Sequence, residues 1–340
     1  MTFRRSVTGA ALAAAVLALA PAAQAQSTTL RMHGAYAPED TSSKAMEIFK
    51  AEAERLSGGA LLFELIPDTP GVGGAREVLD EVRTQNVFGA WIGAPGLSRL
   101  APEIGALGIP FVFDNYDQVG RTLKGPVGTA IEAKLAAKGF TVLGWMQWGA
   151  RHVMNSKRPL RTLDDFKGLK IRVQFNETHL ATFRALGANP VALDLKDIEV
   201  ALRQGDVESY EGPYSTIYEY KFYEYQKYIS DSAHVLDLIA VIANRKAFMS
   251  LQPREQKAIR EAAAIACAQQ WKMAAAVDAD ALLKLKEKGL QFDPLPPETR
   301  AALHQATAVV VDDAKKRYGD KVVDSILATR TLRAGRGNSR

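Results

Sequence analysis

The sequence predicts an α/β protein of two lobes, each a sheet flanked by helices, with one long helix bracing both lobes. Three observations support this fold class. Short strand patterns alternate with helical patterns, as in βαβ units with a largely parallel sheet. The alternation ends near residue 150 and then begins again. Finally, a helical pattern with no Gly, and no Pro after Pro253, runs from Leu251 to Lys288, which is too long for one small domain.

The elements of the first half follow from the spacing of apolar side chains. Apolar positions recur every three or four residues across 41–56 before two glycines, which indicates a helix. The predicted strands lie around residue 30 and at 61–66, 87–92 and 140–145, and the predicted helices at 75–83 and 127–138. An apolar run over 104–113 closes this half, and the glycine-rich residues 71–74 are interpreted as a turn because they lack the spacing of a dinucleotide site.

The second half repeats the alternation and ends in helices. Its predicted elements are a capped helical turn at 159–166, strands at 170–173 and 207–210, and helices at 178–186, 194–203, 251–288 and 296–316. The tyrosine-rich stretch 214–228 fits a helix packed on a sheet better than an aromatic-binding groove. We expect the chain to cross between lobes near Gly149 and Asp237. Lobe I then comprises 26–149 and 238–277, and lobe II 150–237 and 278–330.

The N-terminal residues predict export. Arg4 and Arg5 precede an apolar run and a small-residue cleavage site, so residues 1–25 form a secretory signal peptide and the mature protein lies in the periplasm. Losing both arginines lowers the formal charge from +5 to +3. Arg330 and the basic residues 331–340 are expected to form a frayed, flexible tail. This charge balance argues against a nucleic-acid partner, and no later apolar run is long enough to embed the chain in a membrane.

Several kinds of chemistry have no signal in the sequence. The five histidines are scattered without metal-ligand spacing, so no metal or other cofactor is expected. Asp164 and Asp165 begin a helical turn, where capping explains them without catalysis. The single cysteine, Cys267, fits a buried inert thiol. Catalytic triads are not visible in sequence, so a secreted enzyme acting on a carboxylate substrate stays open as an alternative.

Arg172 is the first candidate for ligand binding. Side chains alternate along residues 170–173, so Lys170 and Arg172 share one face of this strand. Arg172 lies near the carboxyl end of the strand, where open α/β sheets bind ligands, and a guanidinium can hold a carboxylate through two parallel hydrogen bonds. From the residues alone, a structural ion pair or a solvated strand edge is the favoured explanation of this arginine.

The order of several motifs resembles one family of transport receptors. The strongest is the stretch DFKGLKIRV at 165–173, and GIPFV at 108–112, GANP at 187–190, ALRQG at 201–205, EGP at 211–213 and KFYE at 221–224 accompany it. In this order and spacing the sequence resembles the DctP-type solute-binding proteins of tripartite ATP-independent periplasmic (TRAP) transporters. The resemblance implies a periplasmic binding protein fold and no cofactor.

The resemblance also implies roles for particular residues. Arg172 matches the arginine that binds the ligand carboxylate, and Arg151 matches a second arginine that often contributes. The sequence departs from many members at Gln174 and Gly212, where they carry Pro and Asn, so known ligand preferences do not transfer. The further candidates for the pocket wall are Trp148, Gln174, His33, Glu211 and Tyr214.

The sequence therefore predicts a periplasmic receptor for a small organic acid. The resemblance implies delivery of that acid to TRAP membrane subunits of the DctQ and DctM type. A receptor that presents its ligand to a sensor kinase is the remaining alternative.

Overall fold

The strands meet in one sheet rather than two. A computed structural model describes residues 27–67 and 74–331 and joins nine strands from these residues in the order β2-β1-β3-β8-β4-β7-β5-β6, with β9 beside β8. The strands are β1 (Thr28–Gly34), β2 (Leu61–Ile66), β3 (Gly89–Gly93), β4 (Phe140–Asn155), β5 (Lys170–Val173), β6 (Asn189–Ala192), β7 (Ser209–Gly212), β8 (Tyr228–Asn244) and β9 (Gln291–Pro294).

Helices flank this sheet, as the fold class predicted. They are α1 (Thr41–Leu56), α2 (Ala75–Arg83), α3 (Tyr116–Lys124), α4 (Pro126–Ala137), α5 (Glu177–Ala185), α6 (Ile198–Gln204), α7 (Tyr214–Glu219), α8 (Arg245–Ser250), α9 (Pro253–Glu287), α10 (Pro297–Ala306), α11 (Ala308–Tyr318) and α12 (Asp320–Thr331). The predicted bounds of α1, α2, β2 and β5 agree with the structure. The apolar run at 104–113 instead lies mainly in a 3₁₀ helix, Pro102–Gly108.

The prediction of a largely parallel sheet is right for its two ends and wrong for its middle. β1 is parallel to β2 and β3, and β5 is parallel to β6 and β7. Between these groups, β8 runs antiparallel to β3 and β4, and β4 runs antiparallel to β7. Two long antiparallel strands therefore connect the two parallel halves, which makes the sheet continuous.

β4 continues ten residues beyond the predicted end of its strand at Trp145. Its pairing with β8 shifts register at three places, one of them between Gln147 and Gly149. Gly149 has φ +133° and a Cβ there would lie 2.8 Å from the Pro213 Cβ, so a side chain is excluded at this irregularity. The register shifts and the buried polar residues of β4 interrupt the alternation of apolar and polar side chains, so this pattern does not reveal the full length of the strand. Gly149 pairs with Asp237, the other predicted crossing point, and the lobe boundaries remain predictions.

The long helix α9 contains 35 residues and extends over about 52 Å at 1.5 Å per residue. It packs against α1 and β4 on one side and against α7 farther along. The buried face of α9 is rich in alanine, and these small side chains allow the helix to lie close to the sheet. At Gly144 of β4, a Cβ would lie 2.6 Å from the Cys267 Sγ, so the close packing there requires glycine. The predicted packing of the tyrosine-rich stretch is also confirmed, because Tyr214, Ile217 and Phe222 share a core with α9.

The C-terminal region differs from its prediction. The single helix expected at 296–316 is two helices, α10 and α11, which meet at Thr307. Gly319 then allows a turn into α12, which the sequence analysis missed. Arg330 is part of α12 and donates to the Phe111 carbonyl and the Asp114 carboxylate, so it is not in a frayed tail. The signal peptide, residues 71–73 of the glycine-rich turn and residues 332–340 lie outside the described residues.

Candidate functional site

Arg172 is held with its side chain against the sheet. Along β5, Lys170 is exposed and Arg172 is only 3% exposed, although period-two alternation places both side chains on one face of the strand. The Arg172 Nε and Nη2 both donate to the Leu193 carbonyl, at 2.9 and 2.6 Å. The Arg172 Cζ also lies 5.5 Å from the centre of the Tyr210 ring. One edge of the guanidinium is thereby fixed, which orients the remaining nitrogen.

A small cleft opens beside this arginine. It measures about 70 Å³ and is lined, among others, by Tyr36, Gly93, Pro95, Trp148, Arg172, Gln174 and Asp194. We refer to it as the Arg172 cleft. Tyr36, Gly93 and Pro95 come from predicted lobe I, whereas Arg172, Gln174 and Asp194 come from predicted lobe II. The Trp148 ring packs edge-to-face on Tyr36, with ring centres 4.9 Å apart, and forms an apolar wall.

Several buried polar atoms around the Arg172 cleft have no partner in the described part of the chain. They are the Arg172 Nη1, the Gln174 Oε1 and the Trp148 Nε1. Burial lowers the pKa of Arg172, although guanidinium groups stay protonated in proteins. A buried donor on a cation without an acceptor is costly, and such groups commonly indicate a bound molecule. The Arg172 cleft therefore offers a cation with a free donor, an amide oxygen and an indole N–H.

Arg151 lies elsewhere, in a buried ion network. Its side chain is fully buried. The Arg151 Nη1 donates to the Asp237 Oδ2 at 2.7 Å, and the Nη2 donates to the Glu211 Oε1 at 2.8 Å. The Nε also donates to Glu211, and these donors leave no free edge toward the Arg172 cleft. In this structure Arg151 is a structural cation, because β7 and β8 supply carboxylates on both sides of it, and its predicted contribution to ligand binding stays a prediction.

Glu211 belongs to the same network rather than to the cleft wall. Burial by itself would raise the pKa of Glu211, but the Arg151 guanidinium outweighs it and holds this pKa well below its usual range. The His234 Nε2 lies 3.3 Å from the Glu211 Oε2. Glu211 is therefore the main counter-ion of Arg151 and is not among the residues that line the Arg172 cleft, and a role for it in ligand binding stays a prediction.

Two further predicted wall residues also have partners outside the cleft. The Nδ1 of His33 lies 2.5 Å from the Glu81 Oε2, so His33 ties β1 to α2. Tyr214 stacks on the His152 ring and donates its hydroxyl to the Asp231 Oδ1 at 3.1 Å. Neither His33 nor Tyr214 is among the residues that line the Arg172 cleft. Trp148, Gln174 and Arg172 do line the cleft, and their part in ligand binding stays a prediction.

The sequence analysis missed other cleft residues, chiefly Tyr36, Phe175 and Asp194. Each follows the carboxyl end of a parallel strand: Tyr36 after β1, Phe175 after β5 and Asp194 after β6. This position is the signal that could have found them. Asp194 was not identified as a cleft residue because β6 was not predicted and because an aspartate before a helix is ordinarily a cap.

Within residues 27–67 and 74–331, no group of three histidine, cysteine or acidic side chains is arranged to hold a metal ion. In the same part of the chain, no helix has the length and apolar character needed to cross a membrane.

Comparison with known proteins gives the family. The model of bacterial extracellular solute-binding protein family 7, DctP, matches residues 32–317. The 2,3-diketo-L-gulonate-binding periplasmic protein YiaO of Escherichia coli is 30% identical over 287 residues, which cover 84% of this chain and 87% of YiaO. The C4-dicarboxylate-binding periplasmic protein DctP of Rhodobacter capsulatus is 27% identical, over 95% of this chain and 98% of that protein.

A solved structure supports the same assignment. The sugar acid binding protein DctPAm from Advenella mimigardefordensis, in complex with galactonate, superposes with a TM-score of 0.86 at 29% identity. The match covers 90% of this chain and 98% of DctPAm. The family and these relatives are solute-binding receptors and not enzymes. The chain therefore belongs to family 7 of the bacterial extracellular solute-binding proteins, the DctP family.

Proposed function

We propose that this protein is a periplasmic receptor that binds a small organic acid in the Arg172 cleft and delivers it to a TRAP-type permease. The observation that carries the proposal is the buried Arg172 Nη1, which has no acceptor among the described residues. The ligand carboxylate accepts from this nitrogen. Because Nε and Nη2 are already fixed by Leu193, the free donor has one direction and the site is preorganised.

The positions of the lining residues support binding coupled to closure. Residues from both predicted lobes line the cleft, and two contacts beside it each join a residue of predicted lobe I to a residue of predicted lobe II. Lys196 Nζ lies 3.3 Å from the Glu77 Oε1, and the Arg99 guanidinium lies 5.5 Å from the centre of the Phe175 ring. Closure of the lobes would exclude water and strengthen the charged hydrogen bond to the ligand.

The relatives support the chemical class of ligand and the route. DctPAm binds galactonate, and YiaO is named for a diketo acid. The cleft of about 70 Å³ is small beside the roughly 300–1,000 Å³ of common ligand sites, so a compact acid fits best and a larger one requires wider opening. In this proposal the receptor is exported and cleaved after Ala25, and it then delivers the bound acid to membrane subunits of the DctQ and DctM type.

The test combines a ligand screen with substitution of Arg172. A thermal-shift screen of organic acids identifies the ligand, and calorimetry then compares wild type with Arg172→Ala and Arg172→Lys. Truncation should weaken binding by roughly 2–5 kcal/mol, or about 30- to several-thousand-fold. Lysine should restore little, because it lacks the planar fork of arginine. Because Arg172 is buried and donates twice to the Leu193 carbonyl, its truncation should also lower the unliganded melting temperature, so the deciding measurement is the affinity of the folded variant.

Arg161→Ala is the matched control. Arg161 is an exposed arginine paired with Asp293, at 3.0 Å, outside the cleft. Its loss removes the same charge without touching the ligand, so affinity should stay within about threefold of wild type. An Arg172→Ala variant that binds as tightly as this control would contradict the proposal. Recovery of a chemically altered ligand would favour the enzyme alternative.

A further inference from the structure

Asp194 is the one acidic side chain described at the Arg172 cleft, and nothing in the described chain engages it. It lies two residues after β6, at the start of a 3₁₀ turn, but its side chain makes no capping hydrogen bond. In the described part of the chain its carboxylate has neither a hydrogen-bond donor nor a cation within ion-pair distance. Its carboxylate reaches the cleft because Gly74 has no side chain; a Cβ there would lie 2.5 Å from the Asp194 Oδ2.

The cations nearby do not neutralise Asp194. Lys196 lines the same cleft but its Nζ is paired with Glu77 at 3.3 Å. Arg172 lies within electrostatic range of Asp194 without forming an ion pair with it. Burial raises the pKa of Asp194, and Arg172 acts in the opposite direction. One small cleft thus contains a free donor on a cation and a free acceptor on a carboxylate.

A ligand that fills this cleft must satisfy both groups. Its carboxylate pairs with the Arg172 Nη1, and a hydroxyl or ammonium group has to donate to Asp194. A second carboxylate at that place would face Asp194 with like charge, and an alkyl group would cover the half-buried Asp194 carboxylate without offering it a donor. Sites that bind a donor group discriminate strongly against analogues that lack it.

We infer that Asp194 determines specificity and that the ligand is a monocarboxylic acid that also carries a hydroxyl or amino group. The inference rests on the proposed acid-binding function of the Arg172 cleft and adds the second half of the recognition. Dicarboxylates and unsubstituted alkanoates bind more weakly because of Asp194.

The experiment measures affinities for matched acids by calorimetry. The three-carbon set is propanoate, lactate, alanine and malonate, and the six-carbon set is hexanoate, gluconate, norleucine and adipate. For wild type, the tightest ligand should be a hydroxy or amino acid, by about 10- to 100-fold over the alkanoate and dicarboxylate of its set. Asp194→Ala should abolish this preference and improve dicarboxylate binding.

Two further variants sharpen the result. Asp194→Asn keeps an acceptor oxygen and removes the charge, so it should retain most binding of a hydroxy acid and lose binding of an amino acid. Asp197→Ala is the control for charge, since Asp197 lines only a wider outer groove of about 490 Å³ next to the cleft. This variant should keep the wild-type preference.

The outcomes separate the inference from the function beneath it. If acids bind to wild type regardless of a donor group, or if Asp194→Ala keeps the preference, the inference fails while the receptor function stands. If wild type binds no acid of either set and the wider screen finds none, both fail. Unliganded melting temperatures equal to wild type show that the Asp194 variants are folded.

Discussion

Replacing Arg151 by methionine should destabilise the unliganded protein, because the structure assigns this arginine to a buried network. The substitution leaves Glu211 and Asp237, which are 0% and 4% exposed at their side chains, without the cation between them. Removing one partner of a buried pair costs about 3–5 kcal/mol. At about 2.1 cal/mol/K of unfolding entropy per residue, a mature chain of roughly 300 residues would lose about 5–8 °C in melting temperature.

A double-mutant cycle identifies the source of this loss. Glu211→Leu alone strands the Arg151 guanidinium in part, whereas the double variant Arg151→Met with Glu211→Leu removes both members of the closest pair. We expect the double variant to be more stable than the sum of the single effects predicts, by about 0.5–3 kcal/mol. Differential scanning calorimetry without ligand gives all four values.

The alternative makes the opposite prediction. If Arg151 served as a second ligand cation, Arg151→Met would leave the unliganded melting temperature unchanged and would weaken binding as strongly as Arg172→Ala. That pair of results would refute the assignment of Arg151 to a structural network. Arg161→Ala again supplies the comparison for loss of one exposed positive charge.

Three other predictions follow from the sequence and the structure. The protein purified from the periplasm should begin at Gln26, and mass spectrometry that finds Met1 would contradict the signal peptide. Small-angle scattering should show a smaller radius of gyration with saturating ligand, and an unchanged profile would argue against closure. Burial lowers the pKa of His179 to about 3, so the unfolded chain binds an extra proton once the pH falls below about 6.5. Between pH 6.5 and 5, the unfolding free energy of wild type should fall more steeply with decreasing pH than that of His179→Leu, by up to about 1.4 kcal/mol per unit, and equal slopes would refute this.

Local sequence patterns were sufficient to predict the helices and strands whose apolar residues follow a single helical or strand periodicity. Residues 41–56 show helical spacing and end at glycines, and residues 170–173 alternate, so their structures follow from nearest neighbours along the chain. The long strands β4 and β8 were not predicted in full. Their polar and glycine positions are compatible with a buried strand only because each strand satisfies the other across the sheet.

The sequence by itself determined that Arg172 lies near the carboxyl end of a strand and shares a face with Lys170, but not that Arg172 is buried there. The family motifs also identified a solute-binding receptor. Only the tertiary structure decided which arginine keeps a free donor. Glu211 and Asp237 lie 60 and 86 residues beyond Arg151, and β7 and β8 bring both against its guanidinium. Arg172 meets a backbone carbonyl instead, and one nitrogen remains for a ligand. Since the partners of a buried charge come from distant strands, its role depends on how the sheet assembles.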